Sequence, residues 1–404
     1  MTDAAADHDA LRVDARQWLA ESFPPALAHK SYGALVDRDP ELQADLETWR
    51  GRLATKDWGA PTWPTQYGGA GLTAPEAKAV QEELDRVGAF NPIPSLAGMG
   101  VTMVGPTLLE YGTEEQKARH LPGMASGAIR WCFGLSEPNA GSDLASLRTK
   151  AEDKGDHYLI NGQKIWTSGA NISQWCGCLV RTDPEAGKRD GISFVMLPMD
   201  QAGVDARPIQ LISGISPFCE TFFTDARAEK SDLMGDLNAG WTVIKRLLQH
   251  ERQSQTSAAR RKLDNEEPLP EMALRYVGKD ERGRLADPDL RARLTDHLME
   301  AEAQRLTIAR VAAEAKGEVK VSAAASILKN AATRVAQTKS ELTLEIMGSQ
   351  GLGWEGEAYQ DDELKAVKEW LWGKAASIYG GSYEIQNNII SKNILGLPET
   401  TQKG

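Results

Sequence analysis

The sequence predicts a mostly helical α+β protein, with helical regions at both ends and a strand-rich region between them. Apolar residues recur at helical spacing as far as about residue 128, and long Ala-, Leu- and Glu-rich segments return after Gly240. Between about 130 and 228, short runs of β-branched and aromatic residues alternate with Gly-, Pro- and Asp-containing turns. A chain of 404 residues has room for about two to four structural units.

The N-terminal region carries clear helix and loop signals. Leu11, Trp18 and Phe23 recur near helical spacing, and Thr113 with Gln116 has the spacing of a capping box. The stretch PTWPTQYGGAGLTAP (61–75) is so rich in Pro and Gly that it predicts a loop. We therefore expect a helical domain over residues 1–129.

The middle and C-terminal regions differ in composition and in the periodicity of their apolar residues. Short runs such as WCFGLS, HYLINGQKIWT and GISFVMLPM predict a small sandwich or barrel over residues 130–232. The long segments after residue 233 predict a helical bundle over 233–404. Within that last region, residues 256–289 are charged and have little periodicity, which predicts a long connection.

Composition excludes several classes of protein. A formal net charge of −11 and a pI near 5.2, without a dense basic stretch, argue against nucleic-acid binding. The sequence contains no apolar run long enough for a transmembrane helix, and its start lacks the pattern of a secretory signal. Four cysteines in a chain of this length predict buried thiols in a cytoplasmic protein. The six histidines lack metal-ligand spacing, so no metal is expected.

Two enzyme motifs are also missing. The sequence contains no Gly-x-Ser-x-Gly elbow, which disfavours a hydrolase triad. The glycines of GSQGLG (348–353) lack the dinucleotide-binding spacing, and they follow a predicted helix where that motif needs a strand. A nicotinamide-binding Rossmann domain is therefore disfavoured.

Two segments of the middle region have chemistry suited to a ligand. GLSEPNAGSD (134–143) combines small residues and hydroxyls around a turn, and could offer N–H and O–H groups to a phosphate or a polar ring edge. Lys164-Ile165-Trp166-Thr167-Ser168 places a Trp, able to stack on a planar ring, beside two hydroxyls. Each segment alone also has a plainer explanation, as an ordinary turn and as a half-buried strand aromatic.

Together, and in this order, the two segments resemble the acyl-CoA dehydrogenase family. Further similarity lies in GTEEQK (112–117), ETFFTDARAEKSDLMG (220–235), EIMGSQGLG (345–353) and IYGGSYEIQNNIISKNILGLP (378–398). The resemblance extends over about residues 40–398 and is weakest at 255–290. It implies an N-terminal helical domain, a middle β-barrel and a C-terminal four-helix bundle, assembled as dimers or tetramers. It also implies FAD as cofactor and a role in fatty acid β-oxidation and lipid metabolism.

The resemblance assigns residues to the FAD and to the substrate by motif position. The residues assigned to FAD are Phe133, Leu135, Ser136, Ser142, Trp166, Ser168, Glu345, Gly348, Ser349, Ser382 and Glu384. The last five of these are assigned to its adenosine diphosphate half and would be contributed by a neighbouring subunit. Those assigned to the substrate are Ser142, Arg252, Tyr379 and Gly380. Glu345 departs from the usual Gln, and would turn an anion toward phosphates.

The catalytic base is expected at Glu251. Most of the family carries the base as a Glu near the C-terminus, where this sequence has Gly380, which cannot accept a proton. The long-chain and isovaleryl branches place it on the first helix of the C-terminal bundle, and Glu251 matches that position. The expected reaction converts an acyl-CoA to a trans-2-enoyl-CoA and passes electrons to an electron-transfer flavoprotein.

Other functions of the same fold stay open. The usual Arg-x-x-Phe-Gly loop is replaced here by Arg275-Tyr276-Val277-Gly278, which fits a subset of the family built from two unlike subunits. The chain could then be a weakly active subunit that contributes FAD contacts to a catalytic partner. A flavin oxidase or monooxygenase is the third alternative.

Overall fold

The computed structural model describes the backbone of residues 3–30, 40–263, 267–314 and 324–398, and the side chains of 9–30, 41–251, 267–311 and 327–398. The described chain divides into two compact units. The first contains residues 1–209 and 216–257, and the second contains 210–215 and 258–404. Among the described helices, none is long and apolar enough to cross a membrane.

The N-terminal part of the first unit is helical. Its helices are α1 (Asp3–Ser22), α2 (Pro40–Thr55), α3 (Ala74–Arg86), α4 (Ile93–Leu96), α5 (Gly105–Tyr111) and α6 (Glu114–Ala125). Helices α1, α2 and α3 share a core that includes Leu19, Trp49 and Leu84. Arg16 on α1 also binds the buried Glu83 on α3 through two hydrogen bonds of 2.7 and 2.8 Å.

The first unit also contains a central β-sheet. Its strands are β1 (Trp131–Gly134), β2 (Lys150–Asp153), β3 (His157–Ser168), β4 (Trp175–Arg181), β5 (Ile192–Pro198), β6 (Val204–Ile209), β7 (Phe218–Glu229) and β8 (Leu233–Met234). Their spatial order is β6-β7-β3-β2-β4-β5-β8, and β1 pairs with β4 in parallel. Helix α7 (Gly240–Leu263) follows the sheet.

The second unit is helical. Its helices are α8 (Leu269–Tyr276), α9 (Pro288–Glu314), α10 (Ala324–Met347), α11 (Asp361–Gly373) and α12 (Tyr383–Asn393). Helices α8, α9 and α10 share a core that includes Ala273, Leu290 and Ile346. The predicted class, mostly helical with strands in the middle of the chain, is confirmed.

The prediction of a long connection at 256–289 is wrong in its main part. Helix α7 continues to Leu263, and α8 occupies Leu269–Tyr276. Leu269 and Ala273 are buried, and the Tyr276 hydroxyl donates a 2.7 Å hydrogen bond to Glu363. Contacts with distant parts of the chain stabilise this short helix, and local periodicity does not report such contacts.

Candidate functional site

The end of strand β3 presents an aromatic ring to solvent. The pairing of β3 with β7 shifts register between Lys164 and Thr167, so that Trp166 lies in an irregular part of the strand. Trp166 has a φ of +62°, a left-handed conformation that is rare for a bulky residue. Its side chain is 52% exposed, with one edge against Phe218 at 6.1 Å between ring centroids. This ring is available to stack on a planar ligand.

The loop after β1 lies directly beside this part of β3. The Ile165 N–H donates to the Ser136 carbonyl at 2.9 Å, and the Lys164 ammonium donates to the Leu135 carbonyl at 3.0 Å. Leu135 is buried and Phe133 is half-buried. The structure therefore brings together the two segments that the sequence singled out, although they are separated in the chain.

The hydroxyls of this region suit the polar parts of FAD. Ser136 and Ser168 are half-buried and Ser142 is exposed, and none of the three hydroxyls hydrogen-bonds to another residue that the structure describes. An exposed indole ring beside several available O–H donors matches a ligand with a planar ring, a polar ring edge and a pyrophosphate. The residues present therefore fit the cofactor.

Glu251 lies on a well-anchored stretch of α7. One turn earlier, Arg246 binds both carboxylate oxygens of Glu110 on α5, at 2.6 and 2.7 Å. His250 also lies against Glu110, with 3.2 Å between Nε2 and Oε1. These contacts lower the pKa of Glu110, chiefly through the hydrogen bond from Arg246. Glu251 itself is half-buried, and the side chain of Arg252 lies outside the described residues.

Glu345 has an ion-pair partner within its own unit. The guanidinium of Arg293, on α9, holds both carboxylate oxygens of Glu345, one of them at 2.6 Å, and it also binds Asp289. The hydrogen bond from Arg293 lowers the pKa of Glu345. The carboxylate of Glu345 therefore has a cationic partner, which it shares with Asp289. Gly348 and Ser349 follow in an exposed turn, where Gly348 has a φ of +57°.

The C-terminal motif forms the start of α12. Ser382 caps this helix by accepting a hydrogen bond from the Ile385 N–H, and Glu384 lies exposed in the first turn. Tyr379 and Gly380 are exposed just before it, and Gly380 has a φ of +64°. The buried side chain of Gln386 donates to the Gly380 carbonyl at 3.0 Å.

The residues assigned to the adenosine half of FAD do not meet within one chain. The ring of Tyr383, the residue after Ser382, makes a cation–π contact with Lys329 near the beginning of α10, with the ammonium 5.5 Å from the ring centroid. Glu345 lies near the other end of that helix. Lys329 and Glu345 are sixteen positions apart, which corresponds to about 24 Å of helix.

Sequence reasoning missed two buried charged residues in the loop and the strand. Glu137 and Lys164 form an ion pair at 3.0 Å beside Leu135. The available signal was the position of Lys164 on the inward-facing side of a strand, where a charge requires a partner. In the part of the chain that the structure describes, no group of three or more His, Cys, Asp or Glu could hold a metal ion.

Three family models, one for each domain of the acyl-CoA dehydrogenases, match this chain. The N-terminal, middle and C-terminal domains described for acyl-CoA dehydrogenases match residues 5–128, 132–226 and 238–395, respectively. Acyl-CoA dehydrogenase IpdE1 of Mycobacterium tuberculosis is 36% identical over 400 residues, which cover 97% of this chain and 98% of that protein.

Two solved structures of paired proteins are also similar to this chain. One, described as the Tcur3481–Tcur3483 steroid ACAD, has a TM-score of 0.75 at 29% identity, with 98% of each chain covered. The other, the ChsE4–ChsE5 complex from Mycobacterium tuberculosis, has a TM-score of 0.71 at 28% identity, again with 98% of each chain covered.

Proposed function

The chain belongs to the acyl-CoA dehydrogenase family, and from that membership we propose that it converts an acyl-CoA to a trans-2-enoyl-CoA with Glu251 as the base. Its class, an oxidoreductase that acts on acyl-CoA, and its cofactor, FAD, are confirmed by the family. The proposal concerns the position of the base, the product and the residues of the site.

The flavin side of the site is proposed at the loop after β1 and the end of β3. When bound, FAD supplies the acceptor for the hydride that leaves the β carbon of the substrate. Leu135 and Ser136 would hold the pyrimidine edge of the ring, Trp166 and Ser168 would lie against it, and Ser142 would meet the pyrophosphate region. The exposure of the Trp166 ring and the available serine hydroxyls support this assignment.

The anchoring of Glu251 is the observation that carries the proposed chemistry. Glu251 is half-buried, and it directly follows the turn that Arg246 and His250 hold against Glu110. Partial loss of water makes a carboxylate a stronger base, and a fixed helix keeps it oriented. In the proposed reaction, Glu251 accepts the proton from the carbon α to the thioester. Gly380, at the other position used in the family, has no side chain for this task.

Partners follow from the same proposal. We expect an electron-transfer flavoprotein to accept the electrons, and an assembly that is either a homodimer, a homotetramer or a heterotetramer with a second related chain. The distance of about 24 Å along α10 between Lys329 and Glu345 supports an assembly, because residues that one FAD needs together are separated in one chain. A cytoplasmic location stays a prediction.

A second candidate function rests on that same separation. The chain would be a weakly active subunit whose contacts complete the FAD site of a catalytic partner. Under this alternative, the purified chain would hold little FAD by itself and would regain it on addition of the partner.

The test is anaerobic bleaching of the flavin by a panel of acyl-CoAs. Wild type is compared with Glu251→Gln, which keeps the side-chain shape but cannot accept the proton, and with Glu271→Gln, which alters an exposed Glu on α8. We expect wild type and Glu271→Gln to bleach and Glu251→Gln to keep its oxidised spectrum. Equal bleaching of all three would refute Glu251 as the base, and rapid reoxidation by air would favour an oxidase.

A further inference from the structure

Lys164 is a fully buried lysine in the middle of the candidate site. Its side chain has no exposed surface, and its carbon stem packs against Gly134, so closely that an added Cβ would lie 3.0 Å from Lys164 Cγ. Its ammonium donates to the Leu135 carbonyl and to the Glu137 carboxylate, both at 3.0 Å. A buried ammonium is costly without such partners, so these contacts govern where the Lys164 side chain can lie.

Glu137 is equally well held. Its carboxylate accepts hydrogen bonds from the backbone N–H groups of Arg148 and Thr149 at 2.7 and 2.8 Å, and from the Thr149 hydroxyl at 2.6 Å. Burial acts to raise the pKa of Glu137, but Lys164 and the bonds from Thr149 and Arg148 outweigh it and lower the pKa. Glu137 is therefore an anion near neutral pH.

This pair joins the two segments that the proposed function assigns to the flavin ring. Lys164 holds the carbonyl of Leu135, and the next residue, Ile165, holds the carbonyl of Ser136. The residue after that is Trp166, with its exposed ring. A shift of the Lys164 side chain would thus move the loop relative to the strand at the place where both contact the ligand.

We propose that Lys164, balanced by Glu137, is a positioning residue for the flavin and sets the reduction potential of the bound cofactor. The inference rests on the proposed placement of the ring beside Leu135, Ser136 and Trp166. Reduction adds negative charge to the pyrimidine side of the ring. A buried ammonium near that edge favours the reduced form, and a buried carboxylate opposes it, because charges interact strongly where water is excluded.

The experiment is a double-mutant cycle on the FAD-loaded protein. The variants are Lys164→Met, Glu137→Gln and the double change, and Lys150→Met is the control because Lys150 is an exposed lysine on the neighbouring strand β2. Flavin midpoint potentials are measured by spectroelectrochemistry, and the dissociation constant of FAD is measured by adding FAD to the apoprotein.

We expect opposite shifts from the two single variants. Glu137→Gln leaves the ammonium unbalanced and raises the potential, Lys164→Met leaves the carboxylate unbalanced and lowers it, and the double variant returns toward wild type. Lys150→Met keeps the wild-type potential. Shifts of the same sign, or no shifts beyond those of the control, overturn the proposal, since a purely structural pair would give no sign reversal.

Three further outcomes separate a failure of folding or of the proposed function from a failure of this inference. If the single variants do not fold, the uncharged double variant decides through FAD affinity: a dissociation constant at least tenfold higher supports positioning, and a wild-type value overturns it. If the variants show these potential shifts but the wild type is not bleached by acyl-CoAs, the proposed reaction is refuted and the role of Lys164 stands. A wild type that binds no FAD overturns the inference about Lys164 and supports the alternative in which a partner chain completes the FAD site.

Discussion

Replacing Glu110 with Gln tests whether the anchor of α7 supports the base. The change removes the charge that Arg246 binds through two hydrogen bonds and that His250 approaches at 3.2 Å. About a third of each of the Glu110 and Arg246 side chains is exposed, so solvent weakens the pair. A bidentate pair of this kind contributes about 1 kcal/mol to the free energy of unfolding.

The expected effect on catalysis is larger than the effect on stability. Glu251 follows His250 directly, so loosening this turn would move the Glu251 carboxylate out of its proposed orientation toward the substrate. A small misplacement of a catalytic group lowers kcat by about tenfold. The substrate KM should change little, because Glu110 is not among the residues assigned to the substrate.

The pH dependence has a defined sign. The pKa of Glu110 is lower in the folded protein, chiefly because of the hydrogen bond from Arg246. Its stabilisation is therefore present above the pKa of the unfolded chain and disappears as the pH falls through the folded value. The difference in stability between wild type and Glu110→Gln should accordingly be full at neutral pH and should vanish in acid.

Urea unfolding and steady-state kinetics provide the assay. The control is Glu47→Gln, which breaks a pair with Arg50 inside α2 and should leave kcat unchanged. If Glu110→Gln loses stability but keeps the wild-type kcat, the anchor has no influence on the base. If Glu110→Gln also keeps the wild-type stability, the ion pair contributes nothing to the free energy of unfolding.

The remaining predictions concern stability. Arg16 lowers the pKa of Glu83 to about 2, so its stabilisation is present above the unfolded pKa and is lost as the pH falls toward 2. Glu83→Gln should therefore cost about 2 kcal/mol at pH 7 and nothing in strong acid, as measured by urea unfolding. Gly351→Ala should cost about 3 kcal/mol, because the new Cβ would lie 2.5 Å from the Leu344 carbonyl. Gly348→Ala, with open space but a φ of +57°, should cost about 1 kcal/mol, and equal losses would contradict the steric argument.

Local signals in the sequence predicted local structure well. The capping box is present as expected: the Thr113 hydroxyl accepts from the Gln116 N–H, and the Gln116 side chain accepts from the Thr113 N–H. The same Gln116 side chain also donates to the carbonyls of Ser231 and Leu233. Those partners lie more than a hundred residues away, and no local pattern reports them.

In the candidate site, too, local features were predicted and contacts between distant parts of the chain were not. Motif order identified the segments around Leu135 and Trp166, because their turn and aromatic chemistry is contained in short stretches. The hydrogen bond from Lys164 to Leu135 depends on how β1 lies beside β3, and was not predicted. Arg293, the partner of Glu345, lies on a different helix, so the sequence indicated an uncompensated anion where the structure has an ion pair.

Two of the departures from the family pattern, Glu345 and Gly380, therefore have different consequences. Glu345 is paired with Arg293, which it shares with Asp289, so its charge is offset in part by this cation. Gly380, by contrast, has a φ of +64°, where any side chain costs about 1 to 2 kcal/mol, and Gln386 holds its carbonyl. The backbone at Gly380 thus disfavours return of the base to that position. This cost favours a base elsewhere in the chain, in agreement with the proposal of Glu251, which lies on the stretch of α7 anchored to Glu110.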